Sequence, residues 1–332
     1  MKKKLVIGSI VCVVAALAAY MWIIAPVSRC PSSVEIGSLP HGAWSCTTSL
    51  LTPRSEIGVT VLEGNIYVAG GMNRWGRTAA FEVYNPATNE WKQLAPLPLP
   101  LNHLGIAAAN GRIYVAGGYK DLFLTQSVRA AWAYDPATNS WSEIAMLPSS
   151  RAAHAVINID DKLYAVGGVG TDSAALWVYD PVTNAWDTTR APLPTPREHV
   201  AAVVADHRLY VISGRRGMSA DVSAVEVYDP ATNIWTSKRA IPLARGGLTA
   251  AVLDGRIHVV GGEAFHPDRT FSRHDVYDPS TDTWSSLAPL PAAQHGMGSA
   301  VINERWYVIG GASRAGFLTP ISASATVEVF NP

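Results

Sequence analysis

Beyond about residue 40 the chain is built from short apolar runs separated by glycine, proline, asparagine and aspartate, and the runs recur in a fixed order. A run of small apolar residues such as IGVTVL (57–62) comes first. A tight polar turn follows, EGN, NGR or DGR, and then a run that carries a tyrosine and ends on Gly-Gly, as in NIYVAGG (65–71). After a variable loop comes a third run, FEVYNP (81–86) or LWVYDP (176–181), and beyond a further turn a tryptophan opens a fourth. Runs this short, rich in β-branched and aromatic residues and bounded by turn formers, predict strands. The Asn-Gly and Asp-Gly pairs suit the positive φ angles of two-residue hairpin turns. Asp-Pro and Asn-Pro start turns, because the side-chain oxygen bonds amides ahead while proline presets φ. Four strands per unit are expected.

The unit repeats six times. Tryptophans 91, 141, 186, 235 and 284 stand 45 to 50 residues apart, in phase with RIYVAGG (112–118), KLYAVGG (162–168), RLYVISG (208–214), RIHVVGG (256–262) and RWYVIGG (305–311). Six Gly-Gly runs are followed by only five tryptophans, since the sequence ends on VEVFNP (327–332). The unmatched tryptophan is Trp44 in HGAWSC (41–46), 47 residues before Trp91. The strand around Trp44 is therefore expected to complete the last sheet, closing a ring and removing an open edge.

The succession Gly-Gly, Tyr-Asp-Pro and Trp at a period just under fifty resembles the kelch repeat. The resemblance covers residues 42–332 and implies an all-β, six-bladed β-propeller closed by its N-terminal strand. Blade 4 departs from the pattern, with Ser213-Gly214 for Gly-Gly. The family geometry puts the loops after Gly-Gly and the segments leading into each innermost strand on one face, and the Asn-Gly and Tyr-Asp-Pro turns on the other.

The N-terminus is of a different kind. MKKK (1–4) precedes an uncharged apolar stretch, and residues 5–25 are expected to form a transmembrane signal-anchor helix, with 26–41 as linker. The lysines place residues 1–4 in the cytoplasm and the propeller on the periplasmic or extracellular side. The alternative is a signal peptide cleaved after Ala16-Leu17-Ala18, giving a secreted protein. Cys30 and Cys46 lie outside the apolar span and are a candidate disulfide, the alternative being two separate thiols.

Residues 31–332 hold 22 Lys and Arg against 26 Asp and Glu, yet the loop face collects thirteen basic and seven acidic residues. A polarised molecule with a basic face is expected. Aligned on the repeat, Arg54, Arg151, Arg197 and Arg245 share one position, with Leu101 and Gln294 in the other blades, and Glu56, His103 and His199 follow two residues on. This reads as a partial ring of guanidinium groups suited to carboxylates, or as consensus arginines bracing loops. Trp75 and Phe265, with Phe123 and Phe317, are candidates to stack on sugars or receive a peptide, the alternative being packing onto blade tops. The repeating Tyr and Trp are core.

No cofactor is expected. The body lacks any cysteine after Cys46, so a copper centre with a Cys–Tyr crosslink of the galactose-oxidase kind cannot form, and the nine histidines show no paired metal-ligand spacing. No nucleophile elbow is present. One loop, GGEAFHPDRT (261–270), is similar to that of bacterial kelch sialic-acid mutarotases, in which Gly-Glu precedes Arg-Thr by six residues. The resemblance implies Glu263 as proton shuttle and Arg269 as holder of the sugar carboxylate. The favoured reading is a membrane-anchored, non-catalytic binding module for an acidic peptide, protein or glycan, with no nucleic-acid partner; the alternative is an anionic-sugar mutarotase.

Overall fold

The computed structural model describes residues 40–332. They form six antiparallel sheets of four strands each, the fifth sheet with an added short strand, Asp268–Thr270, and the innermost strands touch their neighbours around a complete circle. The expected anchor helix, most of the linker and Cys30 lie outside the described residues. Among the described residues no helix is long and apolar enough to cross a membrane. Cys46 is disulfide-bonded.

Blade 1 shows the plan: Gly58–Leu62 innermost, then Asn65–Ala69, Phe81–Asn85 and Glu90–Gln93 outermost. Blade 6 is assembled from both chain ends. His295–Ile302, Arg305–Ala312 and Val327–Asn331 are followed in space by Ala43–Cys46, with Trp44 paired to Phe330. The expected closure is observed.

Small residues in the innermost strands follow from crowding at the axis. A Cβ added to Gly58 would stand 2.5 Å from Leu104, one at Gly105 2.3 Å from Val156, and one at Gly298 2.1 Å from Val59. The recurring turn of the outer strands is a clamp between blades. Tyr134 Oη donates to Asn139 Oδ1 (2.8 Å), which also accepts the backbone N–H of Ala95, while Trp141 Nε1 donates to Ala95 O (3.0 Å). Tyr179, Asn184 and Trp186 hold Ala145 in the same way, and Tyr228, Asn233 and Trp235 hold Ala191. Each asparagine sits at φ near +50°, a conformation that asparagine tolerates better than most residues. At the seam the pair is altered on both sides: Phe330 replaces the tyrosine and Gly42 the asparagine. A hydroxyl there would lack its acceptor, and only the tryptophan half survives, Trp44 Nε1 donating to Ala288 O at 2.9 Å.

Ser213 stands where the other blades have glycine, at φ 54°. Its Oγ donates toward Arg245 O (2.8 Å) and accepts Arg245 N (3.1 Å). In blade 1 a Cβ at the equivalent Gly70 would collide with Leu101 O at 2.5 Å. The hydroxyl turns that close approach into hydrogen bonds.

Candidate functional site

The segments leading into the innermost strands build the centre of the loop face. At one position per blade the backbone turns left-handed: Glu56 (φ 53°), His103 (54°), Ala153 (53°), His199 (51°), Gly247 (65°) and Gly296 (62°). These residues hand hydrogen bonds around the axis. Glu56 N donates to Gly296 O (2.7 Å), His103 N to Glu56 O (3.0 Å), Ala153 N to His103 O (2.9 Å), His199 N to Ala153 O (3.0 Å) and Gly247 N to His199 O (3.0 Å). The result is a collar, and Glu56, His103 and His199 line the cavity of about 110 Å³ at its centre.

The same left-handed residue breaks strand alternation, so side chains two apart no longer share a direction. Arg54, Arg151, Arg197 and Arg245 consequently do not form a ring at the channel mouth. All four are fully or almost fully buried inside their blades. Arg54 pairs with Glu82 (2.6 Å) and donates to Val68 O; Arg197 pairs with Glu226 and donates to Val211 O and Ser213 O; Arg245 pairs with Asp275 (3.0 Å) and donates to Gly261 O. Arg151 has no acid within ion-pair distance, lies 3.5 Å over the Trp177 ring and donates to the carbonyls of Ala165, Ala175 and Asp172. Gln294 donates to Glu328 in blade 6. These side chains brace second strand to third strand, which is the bracing alternative and not the anion-capturing one. Burial lowers the pKa of each of the four arginines, and nearby carboxylates oppose the shift.

Around the collar a polar and charged cluster gathers from two further repeat positions: Asn102, Glu198 and His295 one residue before the collar, and Tyr119, Arg215 and Glu263 just after Gly-Gly. His103 Nε2 is 3.2 Å from Glu56 Oε2. His199 Nδ1 is 3.0 Å from Glu198 Oε2, and its Nε2 lies 3.0 Å from Arg215 Nη2. Arg215 also contacts Glu198 (3.4 Å) and Glu263. His295 Nδ1 stands 3.3 Å from Glu263 Oε1 and 3.4 Å from Glu56 Oε1. Burial would raise Glu56 and Glu263, but the surrounding histidines, and for Glu263 also Arg215, outweigh it and hold both below the usual carboxylate range. Burial drives His103 down to about 4, whereas for His295 the two carboxylates overcome burial and push it up.

Glu263 is thus at the axis, but Arg269 is not beside it. Arg269 sits on an exposed extension, Asp268–Thr270, opposite Ala264 in register, with its guanidinium 4.8 Å from the Phe271 ring. The cation held by Glu263 is Arg215, which also lies 4.4 Å from the ring centre of Phe265. Trp75, Phe123 and Phe317 are 83, 87 and 92% exposed on the loop tops, with the Arg74 guanidinium 5.0 Å from the centre of the Trp75 ring. Arg74, Arg77, Lys120, Arg129, Arg216 and Arg269 are exposed around them, against Asp172, Asp221 and Asp268. The rim stays basic although the buried arginines leave it. Its floor is acidic. A larger hollow, about 970 Å³, opens between blades 4 and 5 and is lined by Asp206, Arg208, Asp229, Lys238, Asp254 and Arg256 among others. It contains none of the axial cluster, and its charges of both signs select no ligand class.

Reading each repeat position singly passed over Arg215, Glu198 and His295, because their side chains converge only once six units share an axis. Their signal was positional, since each falls in a column of the repeat next to a residue already singled out.

Residues 34–168 and 153–323 match the family model described as the KLHDC2/KLHL20/DRC7 Kelch-repeats domain. Kelch-like protein 41a of Danio rerio is 40% identical over 52 residues, 16% of this chain and 9% of the relative. Kelch-like ECH-associated protein 1A, also of Danio rerio, is 39% identical over 62 residues, 17% of this chain and 10% of the relative. The matched stretch is therefore about a tenth of the length of those relatives. The solved structure of YjhT superposes with a TM-score of 0.74 at 18% identity, covering 85% of this chain and 96% of that one. That likeness is one of fold.

Proposed function

The chain belongs to the kelch-repeat family, and from that premise we propose that it is a non-catalytic binding module that captures an acidic peptide, protein or glycan on its loop face. The observation carrying this reading is the rim: three aromatic side chains stand almost fully in solvent among exposed arginines and a lysine. Exposed aromatic and arginine side chains at a concave mouth are the residue types that dominate binding energy in interfaces. The apolar segment 5–25 would hold the module at a membrane, with the propeller on the non-cytoplasmic side. The test is a peptide and glycan array read at low and high salt, with Trp75→Ala and Arg216→Ala plus Arg269→Ala variants. Salt-sensitive binding of acidic ligands that weakens in both variants is expected. Binding that ignores both variants would sink the reading.

The anionic-sugar mutarotase remains the second reading, favoured by one observation: Glu263 lies at the axis with a guanidinium, that of Arg215, in contact. Against it, Glu263 is 2% exposed and depressed in pKa, which suits an ion-pair partner better than a proton shuttle. An NMR exchange measurement of sialic-acid anomers separates the readings. An exchange rate equal to the uncatalysed one for the wild type removes the second.

A further inference from the structure

The binding reading uses the rim and leaves the floor unexplained. Glu56, His103 and His199 come from blades 1, 2 and 4 and offer one donor atom each, all within 4.8 Å of one another. Each is at least nine-tenths buried. Both imidazoles have their other nitrogen engaged: His103 Nδ1 is 2.6 Å from Asn102 Oδ1, and His199 Nδ1 is 3.0 Å from Glu198 Oε2. An oxygen acceptor at Nδ1 keeps the proton there and leaves Nε2 as a lone pair, the arrangement that metal-binding histidines share. His103 Nε2 and Glu56 Oε2, at 3.2 Å, are spaced as two donors on one ion whose bonds are about 2.0–2.2 Å.

The charge around the triad points the same way. The carboxylates of Glu56, Glu198 and Glu263 are buried around one guanidinium, that of Arg215, and one imidazole, that of His295 between Glu56 and Glu263, so the acids still outnumber the groups that can face them with positive charge. Buried carboxylates in excess of cations are costly unless another positive charge joins them. The cavity is also furnished beyond the triad, since His154 lines it with both ring nitrogens unpartnered. A buried imidazole without partners requires a water or a ligand.

We propose that Glu56, His103 and His199 form a binding site for one divalent first-row transition ion, with Asn102 and Glu198 fixing the orientation of the two rings. Two imidazoles and one carboxylate suit zinc, cobalt, iron or nickel and disfavour magnesium and calcium, which take all-oxygen sites. Arg215 is the built-in competitor. Its Nη2 lies 3.0 Å from His199 Nε2, and an entering ion takes that lone pair while the guanidinium keeps Glu198 and Glu263. Three protein donors leave coordination positions open toward the cavity, which has room for water.

The experiment uses the full chain without a histidine tag, dialysed against chelator and titrated with Co2+ by absorption and with Zn2+ by calorimetry. One ion per chain is expected, with visible cobalt bands and affinity reduced at least about tenfold in His103→Ala. His207→Ala, an exposed histidine, is the control and should change nothing. X-ray absorption on the zinc-loaded wild type keeps the proposal testable if His103→Ala does not fold: two imidazoles in the zinc shell are expected, and a shell without imidazole overturns it. No uptake by the wild type, uptake indifferent to a folded His103→Ala, or uptake only after Arg215→Met each overturns it as well. The last result would mean that the guanidinium holds the site permanently.

Discussion

Trp44 and Phe330, near opposite ends of the chain, lie directly across from each other in adjacent strands, with ring centroids 5.0 Å apart. Trp306 and His274 complete the cluster, 5.7 and 5.8 Å from Trp44. The ring of blades is therefore held shut by side-chain packing and one strand pair. Trp44→Ala should cost about 3 kcal/mol, the lower end for a large aromatic, because the indole is only partly buried. Removing residues 40–46 or 327–332 should destabilise the same blade to a similar extent. Urea unfolding of the three variants checks this; one truncation leaving the midpoint unchanged would contradict closure by that strand.

Arg197 and Arg216 provide a contrast between two arginines on one blade. Arg197→Ala leaves Glu226 buried without its partner, for which a loss of roughly 3–5 kcal/mol is expected. Arg216 is exposed and its Nε donates to Pro196 O, so Arg216→Ala should change stability by less than about 0.5 kcal/mol. Ligand affinity should follow the opposite order once the Arg197 variant is compared under conditions where it is folded. Equal unfolding midpoints for the two variants would refute the bracing role.

The ring architecture, its six units and its closure could be read directly, because the periodic Gly-Gly, Tyr and Trp columns are dictated by backbone turns and packing between blades. The direction of the arginines could not be read from spacing alone. Spacing of two implies a shared face only in a regular strand, and Glu56 with φ 53° interrupts the strand after Arg54. A subtler signal was nevertheless present. In three blades the third-strand residue tracks the arginine column, Glu82, Glu226 and Asp275 accompanying Arg54, Arg197 and Arg245, and Glu328 accompanies Gln294; blade 3 departs, with Trp177 under Arg151, and blade 2 has Trp132 where the other column holds Leu101. The axial triad was legible only as a column. Its members are 47 and 96 residues apart in sequence, and only closure of the ring brings them within 4.8 Å.

Glu328 is the acid in this column that meets an amide and not a guanidinium. Burial pushes its carboxyl up to about 8, and the hydrogen bond from Gln294 offsets only part of that. The folded chain then holds a proton that the unfolded chain, with a value near 4.3, has already released. Stability contributed by this group should be present at pH 4 and lost as pH rises toward 8, by up to about 1.4 kcal/mol per pH unit. Glu328→Gln is expected to match the wild type near pH 5 and to exceed it near pH 8. Urea midpoints at the two pH values decide, and a variant less stable than wild type at pH 8 would show that the carboxylate is ionised and paired.

His258 and His274 give the opposite sign. His274 Nδ1 is 3.1 Å from Ala288 O, which is also the acceptor of Trp44 Nε1, so the proton of neutral His274 sits on Nδ1. Its Nε2 is then the acceptor for His258 Nδ1 at 3.0 Å. Both rings are neutral in this arrangement, and burial lowers them, His274 to about 4 and His258 to about 3, the second also by its neighbour. For His274 the bond to Ala288 and the charge of Asp275 work against the shift without reversing it, and Arg245 adds to it. Unfolded histidines take up protons near pH 6.5, so the unfolded chain binds more protons than the folded one below that value. Stability present above pH 6.5 should be lost as pH falls toward 4, at up to about 1.4 kcal/mol per pH unit for each ring. Because the pair adjoins Trp44 and Phe330, the loss should appear first at the seam, as faster amide exchange in Ala43–Cys46 than in the outermost strand of blade 2, Ser140–Glu143. The double variant His258→Tyr, His274→Phe restores the residues of blade 1 at these positions, Tyr67 and Phe81, and should flatten the acid slope without removing it, since buried His154 is depressed to about 3 as well. Equal slopes in wild type and variant, or exchange that accelerates uniformly in both strands, would show that protonation of this pair is not what opens the ring.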